Sequence, residues 1–209
     1  MIMHEPYTDA RLNILYNLLF CDNPAAASNV LDALPGLPAG GWKEPAAHKD
    51  ALLTILQDKK AEARMRLLIS GMLTKAGINT GTAEFLGVVV EVALGEGLDT
   101  VAGYADGTAR YFNHSEKIIV WETANAASNE LIGQLLAAGK NVVAQIGPWT
   151  EDRLPAPASG EIRLNFLTTN GYYFGQGPFV VLQHDPMGGP VIQAALELLQ
   201  FLTAQEKAN

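Results

Sequence analysis

The fold class turns on residues 84–122, EFLGVVVEVALGEGLDTVAGYADGTARYFNHSEKIIVWE. Within it Leu86, Val88, Val90, Val92 and Leu94 occupy alternate positions, the period-2 pattern of a strand, while Gly87, Val89, Glu91 and Ala93 fill the other side. Gly95-Glu96-Gly97 turns the chain into a second expected strand, Leu98 to Ala105. Asp106-Gly107 is the strongest short hairpin signal, with Thr108 to Asn113 returning beside it. His114-Ser115-Glu116 turns again into a fourth strand, Lys117 to Glu122. A two-residue turn at Asp106-Gly107 would set Ala105 against Thr108, Gly103 against Arg110 and Ala102 against Tyr111. A three-residue turn next would set Phe112 against Ile118 and Tyr111 against Ile119. One face then gathers Tyr104, Tyr111, Ile119 and Trp121, and the other Val101, Phe112, Ile118 and Val120. A sheet apolar on both faces needs cover on both, or reserves one for a partner.

Working outward, Leu12, Leu15, Leu18 and Leu19 predict an N-terminal helix with Thr8 as N-cap, stopped by Asn23-Pro24, and a short helix is expected around Ala25 to Leu34. The Pro- and Gly-rich stretch Leu34 to Pro45 reads as a loop that Trp42 tacks to the core. Ala46 to Ala76 is helical, with Pro45 near its first turn, a Glu62–Arg66 pair and Gly77 after its end; the polar Gln57 to Lys60 is a candidate break. Beyond the meander, a helix over Ala124 to Ala138 ends at Gly139, a strand follows over Val142 to Ile146, and Trp149 to Gly160 is a long loop. Ile162 to Thr169 and the segment from Tyr172 form a second hairpin around Asn170-Gly171, a type I′ signal; Gly175, Gly177 and Pro178 interrupt its return strand. Phe179 to Gln183 fits strand or helical turn. A last helix, Pro190 to Ala204, aligns Val191, Ala195, Leu198 and Leu202. The expected class is α+β: an antiparallel sheet flanked by helices, with an N-terminal helical segment over 1–80 packing on a sheet domain over 81–209, or a single domain over 1–209.

Composition narrows the function classes. The 209 residues are 48% apolar and 17% charged, enough for a real core. With 14 Lys+Arg against 22 Asp+Glu the formal net charge is −8, which argues against nucleic-acid binding, since that needs a concentrated basic surface. The densest basic cluster, Lys59, Lys60, Arg64 and Arg66, is interleaved with Asp58 and Glu62 and reads as a solvated helix face. A lone Cys21 allows no internal disulfide. The N-terminus lacks a signal-peptide pattern, and no apolar run approaches the roughly 18–20 residues of a membrane span. A cytoplasmic, membrane-free protein is the expectation.

No residue set points to a reaction. His4, His48, His114 and His184 show no metal-ligand spacing, and Cys21 reads as a small buried hydrophobe. Gly95-Glu96-Gly97 and Gly175-Gln176-Gly177 are not set between strand and helix, as a phosphate-binding loop would be. Glu91, Asp99 and Glu122 could form a carboxylate pair, but Glu91 within an apolar strand more simply takes Arg110 or Arg163 as partner. No catalytic residue, cofactor or metal is implied. The candidate ligand or interface residues are Tyr104, Arg110, Tyr111, His114, Trp121, Glu122, Trp149, Tyr172 and Tyr173. Arg110, facing Gly103, would have an uncrowded guanidinium with Glu122 diagonal to it, and the aromatics beside glycines in 146–149 and 170–175 suit a pocket wall or interface as well as a core.

The blocks DTVAGYADGTARYFNHSEKIIVWE, IGPW and TTNGYYFGQGPFVVLQ, from residue 99 onward, resemble those of a family of uncharacterised bacterial proteins, which implies no activity. The element order from about residue 84 also resembles the roadblock and profilin-like arrangement, from which the extra strands and N-terminal helices depart. The leading expectation is a non-enzymatic interaction or regulatory module, with self-association as one form of that interaction. Two alternatives stand beside it. One is a small-anion pocket or enzyme site formed by Arg110, His114, Glu122, Trp149 and Tyr172. The other is an acidic immunity- or chaperone-type protein masking a basic partner.

Overall fold

A computed structural model describes residues 3–24, 37, 40–95 and 97–208. The helix expected around Ala25 to Leu34, and Glu96 of the first turn, lie outside the described residues. The elements are α1 (Ala10–Leu18), α2 (Lys49–Gln57), α3 (Ala63–Lys75), β1 (Phe85–Leu94), β2 (Gly97–Tyr104), β3 (Ala109–Phe112), β4 (Ile118–Trp121), α4 (Ala126–Val143), β5 (Glu161–Thr168), β6 (Gly171–Pro178), α5 (Phe179–Leu182) and α6 (Gly188–Ala208). The class is α+β, as the alternation in β1 predicts. The strands form one antiparallel sheet in the order β4-β3-β2-β1-β5-β6.

The chain covers both faces of this sheet itself. On face A, Val88, Val90, Val101, Tyr111, Leu164 and Phe166 pack under Ile132 and Leu135 of α4 and Val191, Leu198 and Leu202 of α6. On face B, Leu86, Val89, Ala102, Tyr104, Phe112 and Leu167 pack under Tyr7, Leu12, Tyr16, Leu19 and Phe20 from the α1 region and Leu67 of α3. A third cluster, Leu52, Leu56, Ile69, Met72 and Leu73, joins α2 to α3, with Trp42 half-buried against it. The cover thus fills both faces over the central strands, and on face B it stops at Phe112, short of Ile118 and Val120.

The register of the meander departs by one residue from the simplest reading. Gly103 pairs with Ala109, Ala102 with Arg110 and Val101 with Tyr111. The loop holds three residues, Ala105 to Gly107: Gly107 takes φ +83°, and the Tyr104 N–H donates to the Thr108 carbonyl. Asp106 fixes the longer loop, accepting from the Thr108 N–H at 3.0 Å and from the Ala63 N–H at 2.7 Å at the start of α3. The slip moves Tyr104 onto face B with Phe112, and Val101 onto face A with Tyr111, Ile119 and Trp121. The β3–β4 turn follows its predicted register, Phe112 against Ile118 and Tyr111 against Ile119. Leu86 departs from the even-position stripe because a bulge between Phe85 and Gly87 turns it to face B.

Other expectations change for local reasons. Asp9, not Thr8, caps α1, accepting from the Arg11 N–H at 2.8 Å. The 46–76 helix breaks at the polar middle, and Pro45 precedes α2 by several residues. Arg66 leaves the solvated face: buried, it donates to the Leu56 carbonyl at the end of α2 and pairs with Glu84 at 2.7 Å, while Glu62 pairs with Arg64 instead. Gly77 does follow α3, at φ +74°, with Ile78 and Gly77 N–H groups closing on Leu73 and Thr74 carbonyls.

Gly139 does not end α4. The helix runs to Val143 and replaces the strand expected over Val142 to Ile146, because Gly139 lies against the sheet where a Cβ would sit 2.7 Å from Phe85 Cζ. The second hairpin turns at Thr169-Asn170, with Thr168 paired to Gly171 and no positive φ, so it is not the type I′ turn expected at Asn170-Gly171. β6 continues through its glycines to Pro178, which an edge strand tolerates. Phe179 to Leu182 is a helical turn.

Candidate functional site

Beneath α1 lies a polar seam. Glu91 is fully buried on face B; its carboxylate accepts from Tyr16 Oη at 2.5 Å and from Asn165 Nδ2 at 3.0 Å, with Arg163 Nη1 at 3.6 Å. Of the two arginines the sequence offered Glu91, the structure selects Arg163, whose other donors hold Gln176 Oε1 and the Leu154 and Pro155 carbonyls. Tyr172 Oη donates to Asn165 Oδ1 at 2.5 Å. Arg153 ties α1 to the 149–160 loop, donating to Asp22 at 2.9 Å, Asn17 at 2.8 Å and Tyr16 at 3.4 Å while lying 3.8 Å over the Phe20 ring. His4 Nε2 donates to the Arg153 carbonyl at 2.8 Å.

Burial, then the Glu91 charge, pushes the Tyr16 and Tyr172 hydroxyls up; burial, then Arg153, holds His4 below its usual range. Burial also pushes the Cys21 thiol up, away from the thiolate form. Two adjoining cavities of about 210 and 220 Å³ open beside the seam and share Asp22, Lys75 and Tyr172. The seam's arginines are spent on structural partners, Arg153 on Asp22 and Asn17 and Arg163 on Gln176 and two loop carbonyls. Chemically this is a clamp holding the N-terminal cover on the sheet.

The nine candidate residues fall into separate places. Tyr104 is buried and donates to the Leu19 carbonyl at 2.8 Å. Arg110 faces Ala102, not Gly103, and is buried: Nη1 donates to the Ala109 and Trp121 carbonyls and Nη2 to Glu122 at 2.7 Å. Its guanidinium is therefore occupied, by groups at the end of β4 that the β3–β4 register brings to it. Trp121 packs on Phe201 at 5.1 Å. His114 and Tyr111 meet on Asp99 Oδ1, at 3.3 and 3.1 Å. Trp149 bridges to Tyr172 by a 2.7 Å backbone bond and lies 5.1 Å from the Phe174 ring; Tyr173 packs into face A. Arg110 and Glu122 thus sit at the β4 side of the sheet and Trp149 and Tyr172 at the β6 side, so the five-residue pocket does not form. The seam residues Tyr16, Asp22, Arg153 and Asn165 carry no sequence signal beyond lone polar residues in a helix, a loop and a strand.

The two sheet edges differ. At β6 the Tyr172 carbonyl is taken by Trp149, and Pro178 closes the strand. At β4 nothing comparable is present among the described residues. Asn113 N–H bonds the Lys117 carbonyl, so in antiparallel alternation Lys117, Ile119 and Trp121 bond inward to β3, while Ile118 and Val120 point N–H and C=O outward. The same two residues carry exposed side chains on face B, 37% for Ile118 and 56% for Val120, where the cover has reached Phe112 but gone no further. Glu122 ends the strand with its side chain 65% exposed.

Among the described residues no group of His, Cys, Asp or Glu is arranged to hold a metal, and no helix is long and apolar enough to cross a membrane. Comparison with family models, curated proteins and solved structures gives no match, so function is read from the geometry alone.

Proposed function

We propose that the chain is a non-enzymatic binding module that receives an extended, basic and apolar segment of a partner protein along β4. The observation that carries this reading is the coincidence, at Ile118 and Val120, of outward backbone groups with exposed apolar side chains. An added strand would gain main-chain hydrogen bonds from the first and side-chain pockets from the second. A four-residue edge is a length that monomeric sheets use to avoid such pairing. Among the described residues this edge, however, lacks the strap and the proline that close β6.

The partner's chemistry follows from charge. Glu122 gives one carboxylate oxygen to Arg110 and stands largely in water, and the chain carries −8 overall. A basic residue flanking an alternating apolar segment would meet Glu122 and be steered by the net charge.

The test is fluorescence anisotropy of a labelled synthetic peptide alternating valine and threonine, with lysine at each end. Val120→Pro removes an outward N–H without touching the β3 ladder, and Val120→Lys adds like charge to the apolar site. Binding to the native chain and its loss in both variants, with melting temperatures retained, supports the reading. Equal binding by Val120→Pro, or dimerisation of the free protein through β4, overturns it, the latter because the occupant is then a second copy.

A further inference from the structure

On face A, away from β4 and from the seam, a separate cavity of about 140 Å³ opens between α6 and the strands β1 and β2. Val90, Val92 and Val101 floor it, Phe179 and Leu199 wall it, and Leu196, 41% exposed, stands at its mouth. A dry apolar cavity of about 150 Å³ is large enough to take up benzene. Among the described residues a single polar side chain, Asp99, enters this lining.

Asp99 is held in place from one side only. Its Oδ1 accepts from Tyr111 Oη at 3.1 Å, from the His114 N–H at 2.8 Å and meets His114 Nδ1 at 3.3 Å. Oδ2 accepts no hydrogen bond among the described residues. The carboxylate is thus oriented by three contacts while one acceptor stays open beside an apolar hollow. Small-ligand sites have this composition, an apolar body with one placed polar group that fixes orientation.

We infer that this cavity binds small primary amines with an aromatic or branched aliphatic body, the ammonium on Asp99 and the body among the three valines, Phe179 and Leu199. A neutral apolar molecule of the same size fills the hollow without the ion pair, and an anion is repelled. The site is independent of the β4 reading, since it uses neither Ile118 nor Val120.

Methyl-detected NMR titration with benzylamine tests it, with toluene as the apolar control. The expected result is shifts centred on Val90, Val92, Val101 and Ile192, tighter binding of benzylamine than of toluene, and a loss of at least about tenfold in benzylamine affinity in Asp99→Asn. Asn keeps an oxygen for the Tyr111 and His114 donors, so that variant retains the local structure. Leu196→Trp, at an exposed position, closes the mouth and abolishes binding of both probes. Absence of shifts, shifts centred elsewhere, or benzylamine binding unaffected by Asp99→Asn or by Leu196→Trp each overturns the assignment.

Discussion

Replacing Glu91 by Gln probes the clamp that holds the N-terminal cover on face B. The carboxylate is fully buried, accepts from Tyr16 Oη and Asn165 Nδ2, and faces Arg163 at 3.6 Å. Breaking a buried ion pair by removing one partner costs about 3–5 kcal/mol, because the other charge stays buried. The low end applies here. Arg163 keeps its bonds to Gln176 and to the Leu154 and Pro155 carbonyls, and glutamine still offers Tyr16 an acceptor. The expected loss is therefore about 3 kcal/mol, or about 6–12 °C in Tm for a chain of this size. Urea denaturation at neutral pH, followed by tryptophan fluorescence, measures it. A double-mutant cycle with Tyr16→Phe should show coupling of about 1 kcal/mol, the charge-assisted part of their hydrogen bond, since glutamine keeps a neutral acceptor. A loss within about 0.5 kcal/mol, the range of ordinary surface substitutions, would refute the claim that Glu91 anchors the cover.

Two glycines of α4 should respond with opposite signs. Gly139→Ala places a methyl 2.7 Å from Phe85 Cζ and 2.9 Å from Val88 Cγ2 and should lose about 1–2 kcal/mol, whereas Gly133→Ala meets nothing within 4 Å and should gain about 0.5–1 kcal/mol; thermal melts of both decide it. His4, held below its ordinary value of 6.5 by burial, binds a proton more readily unfolded than folded. Stability from this group is thus full above about pH 6.5 and falls as pH drops toward the lowered folded value. The urea midpoint should decline over that window in the native chain and decline less in His4→Gln, which keeps a donor for the Arg153 carbonyl.

Which parts of this fold the sequence discloses depends on where the determining contacts lie. The alternation of β1 and the aligned Val191, Ala195, Leu198 and Leu202 of α6 are local patterns, and both elements form where the pattern places them. The Asp106-Gly107 turn is legible as a turn but not in its length, because that depends on Asp106 reaching Thr108 and the distant Ala63. One residue of slip then misplaces Tyr104 and sets Ala102, not Gly103, across from Arg110, whose closure on Glu122 comes from the β4 side. Gly139 reads as a helix end only while the approach of Phe85 is unknown. In α1 the leucine stripe is only partly right: Leu12 and Leu19 are buried, but Leu15 is exposed and Asn13, Tyr16 and Asn17 take buried places, because the helix sits on a polar seam. Arg153, which ties that seam together, is one charge in a loop and has no periodicity to betray it.

Binding along β4 is tested most directly by amide hydrogen exchange resolved at Ile118 to Trp121. In the free protein at low concentration, Ile118 and Val120 should exchange fast while Ile119 and Trp121 are protected by β3. Adding the valine–threonine peptide with terminal lysines should slow Ile118 and Val120 selectively. Protection of those two amides without any peptide, or their continued fast exchange at saturating peptide, would contradict β4 as the binding edge.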